Sequence, residues 1–93
     1  MNVPSSVARP VLARGVRYRW DPLRQQHQLV FPEGMLVLNE TGVAILRLCD
    51  GRSAEEIFDE LTQCFSGVDL RGDLHEFLNR LLQRGLIRDD VDP

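Results

Sequence analysis

The strongest constraint on the fold of this chain is a run of four apolar residues, Met35–Leu38, which follows Pro32–Gly34 and precedes Asn39. The run is too short for a helix, and it lacks the polar alternation of a strand with one solvated face. We therefore predict a strand whose two faces both need apolar cover. The helices of a 93-residue chain can cover one face. The other face, or the strand's edge, is then available to another molecule, which favours a module that binds an added strand.

Two further strands are predicted before this run. In Val16–Trp20, apolar and charged residues alternate strictly, which indicates a half-buried strand that Asp21 and Pro22 end. His27–Phe31 forms the second strand, and Pro32–Gly34 supplies the turn into the third. This spacing favours an antiparallel three-stranded meander with the third strand at an edge.

From Asn39 onward the apolar period becomes helical. Asn39 is the predicted N-cap of a first helix that is apolar on nearly all sides and that Gly51 ends. Ser53–Glu56 has the pattern of a capping box and starts a second helix, which Gly67 ends. The sequence therefore predicts two helices joined by a short polar connection.

A third helix is predicted from about Leu70 to Arg84, with Gly85 as its cap. Three strands followed by three helices predict an α+β domain with a winged-helix-like architecture. We expect a mobile or extended arm over residues 1–15, a single domain over residues 16–88 and an acidic tail over residues 89–93.

Composition argues against several classes of protein. The formal charge is −3, which weakens a nucleic-acid interpretation, and all eleven basic residues are arginine. Cys49 and Cys64 lack metal-ligand spacing, so we expect two reduced core thiols. No apolar run is long enough for a membrane span and the N-terminus does not resemble a secretory signal, so we expect a cytoplasmic protein without membrane contact.

The residues that catalysis would need are scarce. His27 and His75 have no nucleophile or carboxylate at a suggestive spacing, and Glu55 and Glu56 fit a capping role. Neither of the turn glycines belongs to a phosphate-binding loop. We therefore predict no enzyme, no catalytic residue, no cofactor and no metal.

The third helix carries a broad apolar stripe. Leu70, Leu74, Phe77 and Leu81 point one way, and Leu78 and Leu82 widen the stripe. Two interpretations remain: a wholly internal packing face, or an open groove bordered by Leu78 and Leu82. Arg71 and His75 flank this margin, where they either meet acidic groups of a partner or are simply solvated.

Several segments, taken in order, closely match one known family: Arg17–Asp21, Phe31–Met35, Leu38–Thr41, Ile45–Gly51, Glu56–Ile57, Phe77–Leu78 and Arg84–Leu86. Through them, the chain from about Arg9 to Arg88 resembles the pyrroloquinoline quinone (PQQ) biosynthesis protein D family. The segments PEGM, LNET and LCDG at these separations are specific for it. The long N-terminal arm and Gly42, where the family more often has alanine, are mild departures.

The resemblance implies a winged-helix-like peptide chaperone that holds the leader of a precursor peptide as an added strand. It also implies that the peptide, whose Glu and Tyr become the quinone, is presented to a radical S-adenosylmethionine (SAM) enzyme. Together with the residue patterns, it predicts a peptide-binding site made of the third strand and the third helix: Met35, Leu36, Val37, Leu38, Arg71, Leu74, His75, Leu78 and Leu82.

Two alternatives use the same features differently. In a DNA-binding winged helix, the last helix would enter the major groove, which Arg71, Arg80 and Arg84 favour while Asp73 and Glu76 dilute the positive field. Alternatively, another copy of the protein fills the open strand edge and forms a homodimer.

Overall fold

The structure is a computed structural model that describes residues 7–65 and 69–90. Within these residues, eight elements follow one another: β1 (Pro10–Leu12), β2 (Arg17–Asp21), β3 (Gln26–Phe31), β4 (Gly34–Leu38), α1 (Glu40–Arg47), α2 (Ala54–Cys64), α3 (Arg71–Gln83) and β5 (Ile87–Asp89). The α+β class and the order of three antiparallel strands followed by three helices are confirmed.

The three-stranded sheet has the strand order β2-β3-β4, and both pairings are antiparallel. The predicted meander is therefore confirmed, with β4 at an edge. A two-residue turn joins β3 to β4, and Phe31 faces Gly34 across it. Gly34 has φ +156, a conformation that residues with a side chain rarely adopt, which explains a glycine at this position.

The two faces of the sheet differ in their cover. One face packs against the helices and carries Leu29, its cross-strand partner Leu36, and Leu38. Leu29 and Leu38 are buried there. Met35 and Val37 alternate with them and are 46% and 51% exposed. One face of β4 thus lacks the cover that its apolar sequence favours.

Local signals set the ends of α1, although one prediction was wrong. Asn39 caps the helix as expected, because its Oδ1 accepts the Gly42 N–H at 2.7 Å. The helix ends at Arg47, not at Gly51. Gly51 has φ +100 and donates its N–H to the Pro10 carbonyl at 3.2 Å. Its role is therefore to contact β1 and not to end α1.

The departure at Gly42 has a packing explanation. A Cβ built at this position would lie 3.3 Å from Phe77 Cε1 and 3.2 Å from Asn39 Oδ1. Both contacts are tighter than ordinary van der Waals contact, so the missing side chain lets α3 approach α1 closely.

Helices α2 and α3 have the predicted caps. Ser53 and Glu56 form the reciprocal hydrogen bonds of a capping box at the start of α2. At the end of α3, Gly85 N–H bonds the Leu82 carbonyl and Leu86 N–H bonds the Leu81 carbonyl, a Schellman motif that needs φ +74 at Gly85. The predicted stop at Gly67 lies outside the described residues.

The core joins one face of the sheet to the three helices. Its fully buried members come from β3, all three helices and the N-terminal segment, and they include Leu29, Ile45, Ile57, Leu61, Leu81 and Val7. Burial of such side chains contributes roughly 1.5–3 kcal/mol each, so this cluster provides most of the stabilisation.

The N-terminal segment differs from the predicted arm. Within residues 7–15, β1 pairs with β5 in a two-stranded antiparallel ribbon, and Val7 belongs to the core. The Asp89 carboxylate accepts the backbone N–H groups of Ala8 and Arg9 at 3.1 and 2.8 Å. Residues 10–12 therefore pack on the domain, and Asp89, expected in an acidic tail, belongs to β5. The pattern missed both strands because each has only three residues.

Candidate functional site

The outer edge of β4 presents backbone groups that no other strand of the described residues uses. Phe31 and Gly34 flank a two-residue turn, so they exchange hydrogen bonds, and the pairs 29–36 and 27–38 do the same. The backbone N–H and C=O groups of Met35 and Val37 consequently point away from the sheet. These four groups can bond an added strand without regard to its side chains.

A second free edge, at β2, is built differently. Arg17 and Arg19 place two exposed charges along that strand. Charged side chains on an edge strand hinder its pairing with other chains. The edge at β4 carries no charged side chain between Gly34 and Leu38, so it is the better acceptor for a strand.

The side chains of β4 divide between the two faces of the sheet. Met35 and Val37 are exposed on the open face, Leu36 is half-buried and Leu38 is buried in the core. An added strand would therefore meet apolar side chains at Met35 and Val37. Leu38 supports the site from beneath and does not line it.

The predicted α3 residues do not form an open wall. Leu74 and Leu78 are 5% and 2% exposed and belong to the core, which favours the internal-packing interpretation for both. Leu82 is half-buried and packs against the cluster. Of these three leucines, only Leu82 keeps surface that a ligand can reach in this structure.

Arg71 and His75 lie apart from β4. The Arg71 guanidinium stacks over the Phe58 ring at 4.5 Å from its centre, which is a cation–π contact between α3 and α2. His75 lines a cleft of about 720 Å³ on α3, together with Asp73, Glu76 and other polar residues of that helix. No residue of β4 lines this cleft, so the structure does not bring His75 together with Met35–Leu38.

His27 has partners that sequence spacing did not indicate. Tyr18 Oη lies 2.7 Å from Nδ1, and Glu40 Oε2 lies 3.3 Å from Nε2. The cross-strand register places Trp20 opposite His27 and so brings the rings of Tyr18, Trp20 and His27 together. Among residues 7–65 and 69–90, no group of three or more His, Cys, Asp or Glu side chains can hold a metal ion.

Two buried or paired carboxylates are structural. Burial acts to raise the pKa of Asp21, but hydrogen bonds from the backbone and side chain of Arg24 and from the Leu23 N–H outweigh it and lower that pKa. The Arg52 side chain donates two hydrogen bonds of 2.9 Å to Asp50 and lowers its pKa to about 2. Both carboxylates are therefore held in their charged form.

The two cysteines differ, which corrects the prediction of two core thiols. Cys49 is buried, and burial raises the pKa of its thiol to about 12. Cys64 lies exposed at the last position of α2, although its neighbour Phe65 packs against the core. Neither cysteine forms a disulfide among the described residues.

No helix in the described part of the chain has the length and apolar character needed to cross a membrane.

Comparisons with known proteins agree on one family. The sequence model of coenzyme PQQ synthesis protein D (PqqD) matches residues 26–87. The chain is 37% identical over 77 residues to the PqqA binding protein of Methylococcus capsulatus, and this alignment covers 82% of this chain and 83% of that protein. It is 40% identical over 80 residues to the PqqA binding protein of Azotobacter vinelandii, covering 84% and 87% of the two chains.

A solved structure matches the fold. The solution structure of the PqqD truncation of Methylobacterium extorquens PqqCD, determined by NMR, aligns with a TM-score of 0.71 at 34% identity. The alignment covers 85% of this chain and 87% of that chain, which is described as a functional, stand-alone recognition element for ribosomally synthesised and post-translationally modified peptides. The matched sequence and the shared fold show that this chain belongs to the coenzyme PQQ synthesis protein D family.

Proposed function

We propose that this protein is a non-catalytic peptide chaperone of PQQ biosynthesis that binds the precursor peptide as an added strand along β4. The observation that carries this proposal is the free edge of β4, where Met35 and Val37 direct unpaired backbone groups outward beside exposed apolar side chains. The names of its relatives, PqqA binding proteins, support the identity of the peptide.

The chemistry of the site favours binding over catalysis. Backbone hydrogen bonds and apolar contacts hold a peptide without activating any bond in it, and nothing in β4 can act as an acid, a base or a nucleophile. A complex of this kind is reversible, which suits a protein that must release its cargo.

The proposal includes the transfer of the peptide to the radical SAM enzyme of the pathway, in the cytoplasm where a ribosomal product is available. A strand held only at its backbone and at a few side chains leaves the rest of the peptide accessible to that enzyme. The family resemblance motivates this step.

The DNA-binding alternative has less support. Arg71 of α3 stacks on Phe58, and the guanidinium of Arg84, the C-cap of that helix, lies 5.9 Å from the centre of the Phe31 ring, so both arginines contact other elements. The homodimer alternative uses the same edge as the peptide. Light scattering with and without peptide distinguishes the two, because peptide would dissociate a dimer formed through β4.

The direct test is titration of the precursor peptide against Val37→Pro. Proline removes the outward N–H at position 37 and leaves the bonds between β3 and β4 in place. We expect the peptide to bind about tenfold more weakly or worse, given roughly 0.5–1.5 kcal/mol for the lost hydrogen bond and added steric conflict with the incoming strand.

The matched control is Glu55→Pro, in the exposed first turn of α2, where proline is tolerated. We expect its peptide affinity to stay within about twofold of the original. Circular dichroism establishes that both variants are folded. A folded Val37→Pro variant with unchanged affinity would contradict strand addition at β4.

A further inference from the structure

Two contacts show which side of α3 lies beside β4. Phe77 packs against Gly42 of α1, just past the end of β4. The Arg84 guanidinium lies over the Phe31 ring, 5.9 Å from its centre, where β3 turns into β4. Positions 77 and 84 are about two helical turns apart and share one side of the helix. This side of α3 therefore runs along β4, with Phe77 near the end of the strand and Arg84 near its start.

The opposite margin of α3 faces another helix. Arg71 stacks on Phe58 of α2, and Leu82, about three helical turns later, lies on the same side as Arg71. The side of α3 that borders the sheet is thus not the side where Leu82 widens the apolar stripe. The helical period identifies both margins, but only these contacts show which of them meets the strand.

The guanidinium of Arg84 is available to a ligand. Arg84 is exposed and forms no ion pair within residues 7–65 and 69–90, where Glu33 is the acidic residue of the nearby turn. Its side chain also has no hydrogen-bond acceptor among those residues and contacts the Phe31 ring. An arginine that rests on an aromatic ring keeps its N–H groups for bonds to other molecules.

The end of α3 holds Arg84 in place. Its backbone N–H bonds the carbonyls of Arg80 and Leu82, and the bonds made by Gly85 and Leu86 close the helix immediately after it. The Phe31 ring supports the side chain at the other end. A side chain that is already positioned loses less conformational entropy when a ligand binds it.

The surface between Arg84 and the edge of β4 is apolar. Phe31 and Gly34 lie opposite each other, and a Cβ at Gly34 would lie 3.9 Å from Phe31 Cε2. Because Gly34 has no side chain, this position does not separate the ring from the edge. Leu36, which is half-buried, lies on the same face one step along the strand. A strand added to β4 would direct alternate side chains onto this face, against Leu36 and toward Arg84.

A guanidinium at this place favours a carboxylate. Arginine donates paired hydrogen bonds to carboxylates, and a peptide made by the ribosome carries them on Asp, on Glu and at its C-terminus. Apolar surroundings strengthen the attraction between the two charges. Backbone hydrogen bonds along β4 do not determine the register of an added strand, whereas a single ion pair at the start of β4 would.

We infer that Arg84 binds the carboxylate of an Asp or Glu side chain in the peptide held along β4, and that this contact fixes the register of the bound strand. The inference rests on the proposed function. The bound segment is then apolar where it meets Leu36 and acidic where it passes the start of β4.

The test is a double-mutant cycle between the protein and the precursor peptide, with each acidic residue of the peptide replaced in turn by its amide. We expect Arg84→Gln to weaken peptide binding about tenfold through loss of a charge-assisted pair of hydrogen bonds. One amide replacement should weaken binding to the original protein by the same factor and have no further effect on Arg84→Gln. Arg84→Lys keeps the charge and should retain part of the affinity.

The matched control is Arg47→Gln, which removes an exposed charge at the end of α1 that is far from β4. We expect its peptide affinity to stay within about twofold of the original. Circular dichroism establishes that the variants are folded. Unchanged binding by folded Arg84→Gln would overturn the inference.

Two further outcomes would also overturn it. If the losses from Arg84→Gln and from every amide replacement add, Arg84 acts only by supporting Phe31. If only amidation of the peptide's C-terminus removes the effect of Arg84, the ligand is the terminal carboxylate and not a side chain.

The proposed function fails separately from this inference. Failure of the original protein to bind the peptide would overturn both. Peptide binding that Val37→Pro weakens and Arg84→Gln does not would overturn the inference alone.

Discussion

Single leucines on α3 separate stability from binding. Leu74, Leu78 and Leu82 are spaced four residues apart and share one side of the helix. Leu74 and Leu78 lie in the core, whereas Leu82 is half-buried and lies at its margin. A sequence pattern places residues on one side of a helix, but it does not say where that side leaves the core.

Leu78→Ala is therefore expected to affect stability first. Removing a fully buried leucine side chain should lower the free energy of unfolding by about 2–5 kcal/mol. Leu82→Ala, at a half-buried position, should cost about half as much or less. Urea unfolding of both variants measures the difference. Equal and small losses, together with weakened peptide binding in Leu78→Ala, would instead place Leu78 on an accessible wall.

Sequence and structure agree best at residues whose role is local. Asn39, Ser53 and Glu56 were predicted as caps from their immediate neighbours, and each forms the expected hydrogen bond. Cys64 and Gly51 were assigned wrongly because their environments depend on distant elements. Cys64 lies on a side of α2 that the core does not cover, and Gly51 bonds Pro10 of β1, about 40 residues earlier.

Among the strands and helices as well, contacts between neighbours in sequence were predictable and contacts between distant segments were not. The strands β2, β3 and β4 were predictable because an alternating run or a short apolar run, bounded by turn residues, specifies hairpins between neighbours. The strands β1 and β5 are three residues long and pair across almost the whole chain. A pattern that short carries no period, so only the folded packing defines them.

The end of α3 provides a clean test of an element's cap. At Gly85, φ is +74 and a Cβ would meet no atom within 4 Å, so Gly85→Ala adds backbone strain without a clash. We expect a loss of about 1 kcal/mol in the free energy of unfolding.

Gly72→Ala is the matched control on the same helix. Gly72 lies within α3, and a Cβ there would likewise meet nothing within 4 Å. Alanine is the better helix former, so this variant should gain about 0.5–1 kcal/mol. Thermal and urea unfolding of both variants measure the loss of stability in Gly85→Ala and the gain in Gly72→Ala. A loss at Gly72 or a gain at Gly85 would contradict the assigned helix end.

For the whole molecule, the meander order placed the candidate edge correctly, and the packing of the helices could not be predicted. A three-stranded meander necessarily has its first and third strands at the edges, which is why β4 was expected to be open. Where α3 lies against the sheet depends on core contacts from every helix. The burial of Leu74 and Leu78 argues against an open groove at these two residues. The contribution of the rest of α3 to a groove stays a prediction.

Acid should destabilise the folded protein through carboxylates that the fold keeps charged. The pKa values of Asp50, Asp21 and Glu56 are lowered by hydrogen bonds, Asp50 to about 2. A carboxylate whose pKa is lower in the folded state stabilises it at neutral pH, and this contribution is lost as the pH falls. We expect the melting temperature to be level above about pH 5 and to fall progressively toward pH 2.

Calorimetry between pH 7 and pH 2 measures this change, and Asp50→Asn provides the control. The variant lacks one of the titrating groups, so its melting temperature should depend less steeply on pH in the acidic range. A melting temperature that rises on acidification would show that these carboxylates do not stabilise the fold.

The ribbon of β1 and β5 joins residues about 80 positions apart, since Pro10 lies opposite Asp89. During synthesis, β1 has no complement until the residues between it and β5 have been added. Closing so long a loop requires that the intervening chain be already compact. The ribbon should consequently form last, and Val7 enters the interior only when the rest of the domain is in place.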